Sequence, residues 1–442
     1  MQTRNRNIIR SGLSKQQTRQ SLARFTLFES LRQLYMLLSG GNTMIFIAFV
    51  LSLGVAKEQV GYFSTLASAA CIAPLLLLPV LSRLSDRRGL LLKMLAAEPL
   101  LMIVAIAAVP WLPPSWRLLA VGAAVFLAAS FLNTTTPFTG EWIATIIPAG
   151  VRGRYLGRKM RFWAVATIAG MLLSGAALQT LGKTNTVGLA GVLVFGGLMG
   201  LLSVAAIGGM HMPVVSAGTQ VRYRDFLTAL RTGPFRRVLA AILLYNVPFY
   251  FACPYYQAFY LETLHMPAMW IVSLLVGYNL TKMLTASWAG RMVDRYGPRR
   301  PLMWFGASYV AFFLCYPLAM PGWYWILVPA WVMVGVVESI FYVSLLGSLY
   351  AAVPQTPARP AYFLLYSLAQ LSLFGLGAAL AAPILTAIKD VRIVLGPFAF
   401  TNMHLLYAVV TVLMIPALFA AMLLPKSVRG ENAGPRGQPD SR

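Results

Sequence analysis

Four ionisable side chains fall inside long apolar runs of this sequence: Glu98, Glu141, Lys282 and Glu338. Burying a charge in hydrocarbon costs at least about 2.5 kcal/mol, so each such group is expected to do chemistry or to have a partner. A carboxyl held within a membrane can load a proton when one side is accessible and release it to the other. Glu338 lies near the middle of its apolar run and is the leading candidate for proton coupling and for substrate binding. Glu98 and Glu141 are the further coupling candidates. Glu98 is expected to face a neighbouring helix or a cavity, and Glu141 lies within reach of the basic cluster at 152–161, where a structural ion pair is expected. Lys282 sits near one end of its run, where snorkelling to water or a structural partner accounts for it.

Uncharged polar groups recur inside the same runs. Asn42, Asn133, Thr134, Asn246, Tyr250 and Tyr342 join Glu338 as the candidate substrate-binding set, a lining suited to neutral polar or amphipathic organic solutes. Their ordinary alternatives are also physical: a Thr hydroxyl bonds to its own helix, and an Asn ties one helix to another. Tyr256 and Tyr260 read as an interfacial belt. Enzyme chemistry finds no support, because His211, His265 and His404 are scattered and no nucleophile triad, metal-ligand or phosphate-loop spacing occurs. No cofactor and no metal are therefore expected.

Such residues need helices that cross lipid. The chain is 58% hydrophobic and 11% charged, with a mean hydropathy of +0.70, more apolar than a soluble core requires. A helix crosses the roughly 30 Å hydrocarbon layer with about 20 apolar residues. Runs of that kind lie near 33–53, 59–81, 90–110, 117–147, 160–181 and 187–210, then, after a basic stretch at 211–237, near 238–261, 267–289, 301–319, 322–350, 361–387 and 398–424. The predicted fold class is an all-α polytopic membrane protein with twelve spans. Its parts are a basic N-terminal arm (1–32), a six-helix bundle (33–210), a central loop (211–237), a second six-helix bundle (238–424) and a tail (425–442).

The net charge of +24 is topology and not nucleic-acid binding, because the cations sit between the runs. Placing both termini in the cytoplasm puts 30 of the 36 Lys and Arg on the inner side, as the positive-inside rule requires. The first 30 residues lack the apolar core of a signal peptide, so none is expected. Cys71, Cys253 and Cys315 lie inside apolar runs and read as small hydrophobes without disulfides.

An internal repeat organises the runs. One inner loop reads Ser82-Arg-Leu-Ser-Asp86-Arg87-Arg-Gly89 and another reads Gly290-Arg-Met-Val-Asp294-Arg295-Tyr-Gly297-Pro-Arg-Arg, with Asp, Arg and Gly displaced by 208 positions. A second pair, Pro148/Arg152/Tyr155 and Pro354/Arg359/Tyr362, agrees to within two residues of that offset, with one residue of slippage inside the pair. Under the same offset Asn42 matches Tyr250 and Thr134 matches Tyr342. A small residue at the start of such a loop lets two helices approach closely, while the Asp can accept from a helix N-terminus and the Arg can hold carbonyls or a carboxylate.

These loops resemble the G-x-x-x-D-R-x-G-R-R signature of the major facilitator superfamily, the second copy nearly complete, the first with Ser82 for Gly and Leu90-Leu91 for the basic pair. The resemblance implies two six-helix halves rocking about a central site lined by helices 1, 4, 7 and 10, the runs that carry most of the polar set. It further implies that Asp86, Arg87, Gly89, Gly290, Asp294, Arg295 and Gly297 form a latch that favours the inward-closed state. The expected function is secondary transport of a small organic solute by alternating access, coupled to protons, by a monomer in the lipid bilayer of a bacterial inner membrane. The alternative is a transporter-like assembly factor or sensor that moves nothing. The run at 160–181 contains Gly170 and Gly175 but not the Gly-Pro pair of drug antiporters, the sugar-porter strings do not occur, and no subfamily is identified.

Overall fold

The computed structural model describes residues 13–41, 43–54, 63, 66–67, 69–77, 87–182, 185–211, 223–256, 259–354, 358–388, 390–395 and 398–425. Among them are fourteen helices of seven or more residues. These are α1 Lys15–Leu38, α2 Met44–Ser52, α3 Arg87–Ala108, α4 Pro114–Ile146, α5 Arg152–Leu181, α6 Thr186–Gly208 and α7 Tyr223–Arg231. There follow α8 Gly233–Ala252, α9 Ala268–Tyr296, α10 Arg299–Phe305, α11 Ala307–Leu318, α12 Leu327–Ala352, α13 Arg359–Ala387 and α14 Asn402–Ala420. Seven segments of the described residues are long and apolar enough to cross a membrane: Arg88–Trp111, Pro114–Ile146, Arg152–Leu181, Thr186–Gly208, Arg299–Leu318, Tyr324–Ala352 and Asn402–Leu423. Many of their apolar side chains face outward, among them Leu119, Leu172, Leu198 and Phe419, as a lipid-facing surface requires.

Local structure departs from the sequence expectation at four places. The basic arm is helical from Lys15, started by a capping box in which Ser14 and Gln17 satisfy each other's backbone N–H groups. The first apolar run is broken: α1 ends at Leu38, Gly40 and Gly41 interrupt the helix, and Thr43 caps α2 by accepting from the Phe46 N–H at 3.2 Å. The central stretch contains α7, whose Phe226 packs against buried Ala361 and Leu364. An antiparallel hairpin, β1 Ile393–Leu395 with β2 Phe398–Phe400, precedes α14, so the last helix starts at Asn402 instead of 398.

The chain packs as two compact units. The first takes in Met1–Ile146, Phe162–Thr228 and Thr356–Gly375, and the second Ile147–Arg161, Ala229–Gln355 and Leu376–Arg442. In the first unit α6 packs on α1 and α3, and its glycines allow the approach: a β-carbon on Gly200 would lie 2.7 Å from Pro99 Cβ and 3.0 Å from Tyr35 Cγ. In the second unit α9, α8 and α11 pack on α12, and α14 covers α8 and α11. Its core is aromatic. Tyr316 and Tyr407 stack at 4.5 Å, and Tyr256 stacks on Tyr407 at 5.8 Å. Tyr256 and Tyr260 are thus buried in this core, at 7% and 1% exposure, and not in an interfacial belt. For Tyr260 a satisfied hydroxyl permits it: its Oη meets Tyr316 Oη at 2.6 Å and accepts from Trp331 Nε1 at 3.0 Å, while Tyr256 is held by ring packing on Tyr260, Tyr316 and Tyr407.

Candidate functional site

Glu338 lies on α12, half-buried, and Tyr309 Oη of α11 donates a hydrogen bond to its Oε2. Lys282 of α9 lies within electrostatic range of the same carboxylate. The close approach of α9 and α12 brings them together: a β-carbon on Gly335 would sit 2.8 Å from the Tyr278 carbonyl, and Ser339 Oγ meets Thr285 Oγ1 at 3.1 Å. Lys282 is only 5% exposed. Its Nζ donates to Tyr278 Oη at 2.9 Å and lies 4.7 Å from the centre of that ring. Tyr278 is one turn back along α9, away from the basic end at 291–300, so Lys282 does not snorkel. Helical side chains lean toward the N-terminus, and here a phenol waits in that direction. The second unit thus holds an intramembrane carboxylate, a buried ammonium and two phenols in one group. Sequence reading found Glu338 and passed over Lys282 as a participant. The signal available was its unusual charge inside a span.

The remaining candidates divide. Thr134 Oγ1 donates to the Ser130 carbonyl at 2.7 Å and Asn246 Nδ2 to the Ile242 carbonyl at 2.8 Å, so both engage their own helices. Asn133 is buried on α4, while Tyr250 is half-buried on α8 beside Phe249. Tyr342, also half-buried, has Lys159 Nζ 5.7 Å from its ring centre. Asn42 and Asp86 lie outside the described residues, as does the side chain of Arg87.

Glu98 forms a buried ion pair with Arg32 of α1. Tyr35 shares the carboxylate, and the Arg32 guanidinium lies over the Phe28 ring at 5.7 Å. Glu141 is buried near the end of α4, where its carbonyl accepts from Thr145 Oγ1 at 2.9 Å.

Asp294 sits at the N-terminus of α5. Its two carboxylate oxygens accept from the Gly153 and Arg154 backbone N–H groups, each at 2.7 Å, where the helix dipole favours an anion. Arg154 Nε adds a contact at 3.5 Å. Small residues make room: a β-carbon on Gly153 would lie 2.6 Å from both Asp294 Oδ1 and the Gly290 carbonyl, and one on Gly157 would collide with the Ala286 carbonyl. Gly153 and Gly157 thus face Ala286 and Gly290 as a small-xxx-small crossing, a pattern legible in the sequence but not used. Gly297 ends α9 at φ 78°, its N–H bonded to the Val293 carbonyl at 2.9 Å. Arg295 is exposed and stacks over Tyr296 at 5.2 Å. Arg88 of α3 reaches the Gly208 and Met210 carbonyls through Nη2 at 2.9 and 3.0 Å.

No family model and no curated protein matches the sequence. Solved structures do. The Escherichia coli fucose:proton symporter FucP aligns over 92% of this chain and 100% of its own, with a TM-score of 0.65 and 14% identity. A bacterial homologue of the iron transporter ferroportin, in an outward-facing state, aligns over 92% and 98%, with a TM-score of 0.65 and 12% identity. The human organic anion transporter MFSD10 aligns over 91% and 99%, with a TM-score of 0.66 and 13% identity. At these identities the likeness is one of fold, and it spans both repeats. The chain is a multi-pass α-helical membrane protein with the major facilitator fold.

Proposed function

We propose that the protein is a secondary carrier that moves a small organic solute by alternating access, coupled to protons through Glu338. The observation that carries this reading is the placement of Glu338: a carboxylate within a membrane-spanning helix, bonded to Tyr309 and electrostatically linked to buried Lys282. The fold is shared with proteins described as proton symporters, FucP for fucose and XylE for xylose. When Glu338 binds a proton, its attraction for Lys282 is lost, so the group has two charge states that a transport cycle can use. The Lys and Arg distribution supports both termini in the cytoplasm of a bacterial inner membrane, and a monomer suffices for the mechanism.

The Asp294 clasp on α5 is read as the contact that must break when the inner side opens. Asp294→Asn keeps one acceptor but turns an NH₂ group on the other backbone donor. Hydrogen bonds to a charged group contribute about 1.5–3 kcal/mol, so the open population is expected to rise roughly tenfold or more. Leu156 on α5 is fully buried and reports this when replaced by Cys in a background lacking Cys71, Cys253 and Cys315. Faster maleimide labelling in Asp294→Asn is the expected result. Equal labelling with and without the substitution removes the clasp from the gating mechanism.

A thermal-shift screen of the purified protein against metabolites and drugs tests the carrier reading, since a ligand specific to the folded state raises apparent stability. Hits are then assayed for flux in proteoliposomes. Stabilising ligands without flux would replace the carrier by the sensor or assembly role.

A further inference from the structure

Tyr309 holds Glu338 from one side, and its other side faces a small cavity. This cavity, about 10 Å³, is lined by Tyr245, Leu302, Gly306, Tyr309, Phe341 and Ala417 among others. A water needs roughly 10–15 Å³ on this measure, so one molecule fits. Tyr245 is 4% exposed, and its hydroxyl has no hydrogen-bond partner among the described residues. A buried hydroxyl left unsatisfied costs about 1–3 kcal/mol, so it points to a ligand for that oxygen. The Tyr245 ring is fixed by stacking on Phe341 at 3.5 Å and by an edge contact with Tyr309 at 4.7 Å. Leu302 lies just inside the start of α10, and Ala421, also lining the cavity, just past the end of α14. The cavity therefore lies on the side of the protein that carries the basic 291–300 segment.

We propose that Tyr309, one water in this cavity and Tyr245 form a proton path between Glu338 and that basic face, so that Glu338 exchanges protons there without the solute pathway opening. The inference rests on the coupling role proposed for Glu338. In the loading direction the Tyr309 proton passes to Glu338 Oε2 and the water gives a proton to Tyr309 Oη. The water, held in place by the Tyr245 hydroxyl, is then reprotonated from the end of the cavity at Leu302 and Ala421, next to the basic face. Each phenol ends neutral, and one proton has moved. The groups facing Glu338 are Tyr309 on α11 and Lys282 and Tyr278 on α9, with Tyr245 on α8 beyond Tyr309.

The test uses proteoliposomes of uniform orientation, in which the Glu338 carboxyl band, assigned by its loss in Glu338→Gln, is followed by infrared spectroscopy after a pH step on one side. Positioned proton-transfer groups typically contribute 10²–10⁴-fold, so Tyr245→Phe is expected to slow the response to a step on the basic face by at least about tenfold. Ala417→Leu, which fills the cavity without touching a hydroxyl, is expected to do the same. The response to a step on the opposite face stays unchanged in both. Unaltered kinetics from the basic face, or equal slowing from both faces, overturns the path. If the sided effect appears while Glu338→Gln still drives accumulation, the path stands and the coupling role falls.

Discussion

Glu338→Gln is expected to reduce proton-driven accumulation of the solute by at least about a hundredfold while leaving solute exchange across the membrane measurable. The amide fills the same volume and still accepts from Tyr309, so α11 and α12 keep their contact. What it lacks is the ability to bind and release a proton, and therefore the two charge states that drive the cycle. Buried Lys282 also loses the Glu338 carboxylate acting on it, so a lower unfolding temperature accompanies the change. Monodisperse protein on size exclusion separates the functional loss from misfolding. Accumulation at the wild-type level under a proton gradient would remove Glu338 from the coupling mechanism, whatever the substrate.

The second large effect concerns stability in the first unit. Arg32→Met leaves Glu98 buried without its counter-charge, which costs roughly 3–5 kcal/mol for a broken buried pair. The double variant Arg32→Met/Glu98→Met removes both charges and fills the space with apolar atoms, so it is expected to recover most of that loss. Denaturant unfolding in detergent compares the three proteins. A single variant no less stable than the double would mean that the pair is not a mutual neutralisation. Flux through the double variant then decides whether Glu98 is structural, as its partner implies, or takes part in coupling.

Much of the fold was legible because its signals are local and periodic. Apolar length marks spans, basic residues between them mark sides, and the Asp86/Asp294 offset marks a duplicated half. The interruption at Gly40 and Gly41 and the closure of α9 at Gly297 also have local causes, the second a positive φ that glycine adopts without strain. The hairpin before α14 was missed because Ile393–Phe400 is as apolar as a span and only its pairing makes it a strand.

The candidate site was legible only as far as single residues carry it. Glu338 announced itself by charge at mid-span, and its type alone allows proton loading. Its neighbours could not be read, because Tyr309 and Lys282 stand on other helices and rotation about each helix axis decides which face meets which. The same holds for Glu98, whose partner is 66 positions away on α1. Tyr260 shows the limit most plainly: a tyrosine near a span's end suits lipid headgroups or a buried core equally, and the hydroxyl of Tyr316 and the indole of Trp331 satisfy its hydroxyl in the core. Sequence by itself determined that this chain crosses membranes as two related helical sets carrying an ionisable group. Tertiary packing alone decided which charges neutralise each other and which carboxyl is left half-exposed beside a phenol, because those outcomes depend on helix rotation and approach, which hydrophobic periodicity does not specify.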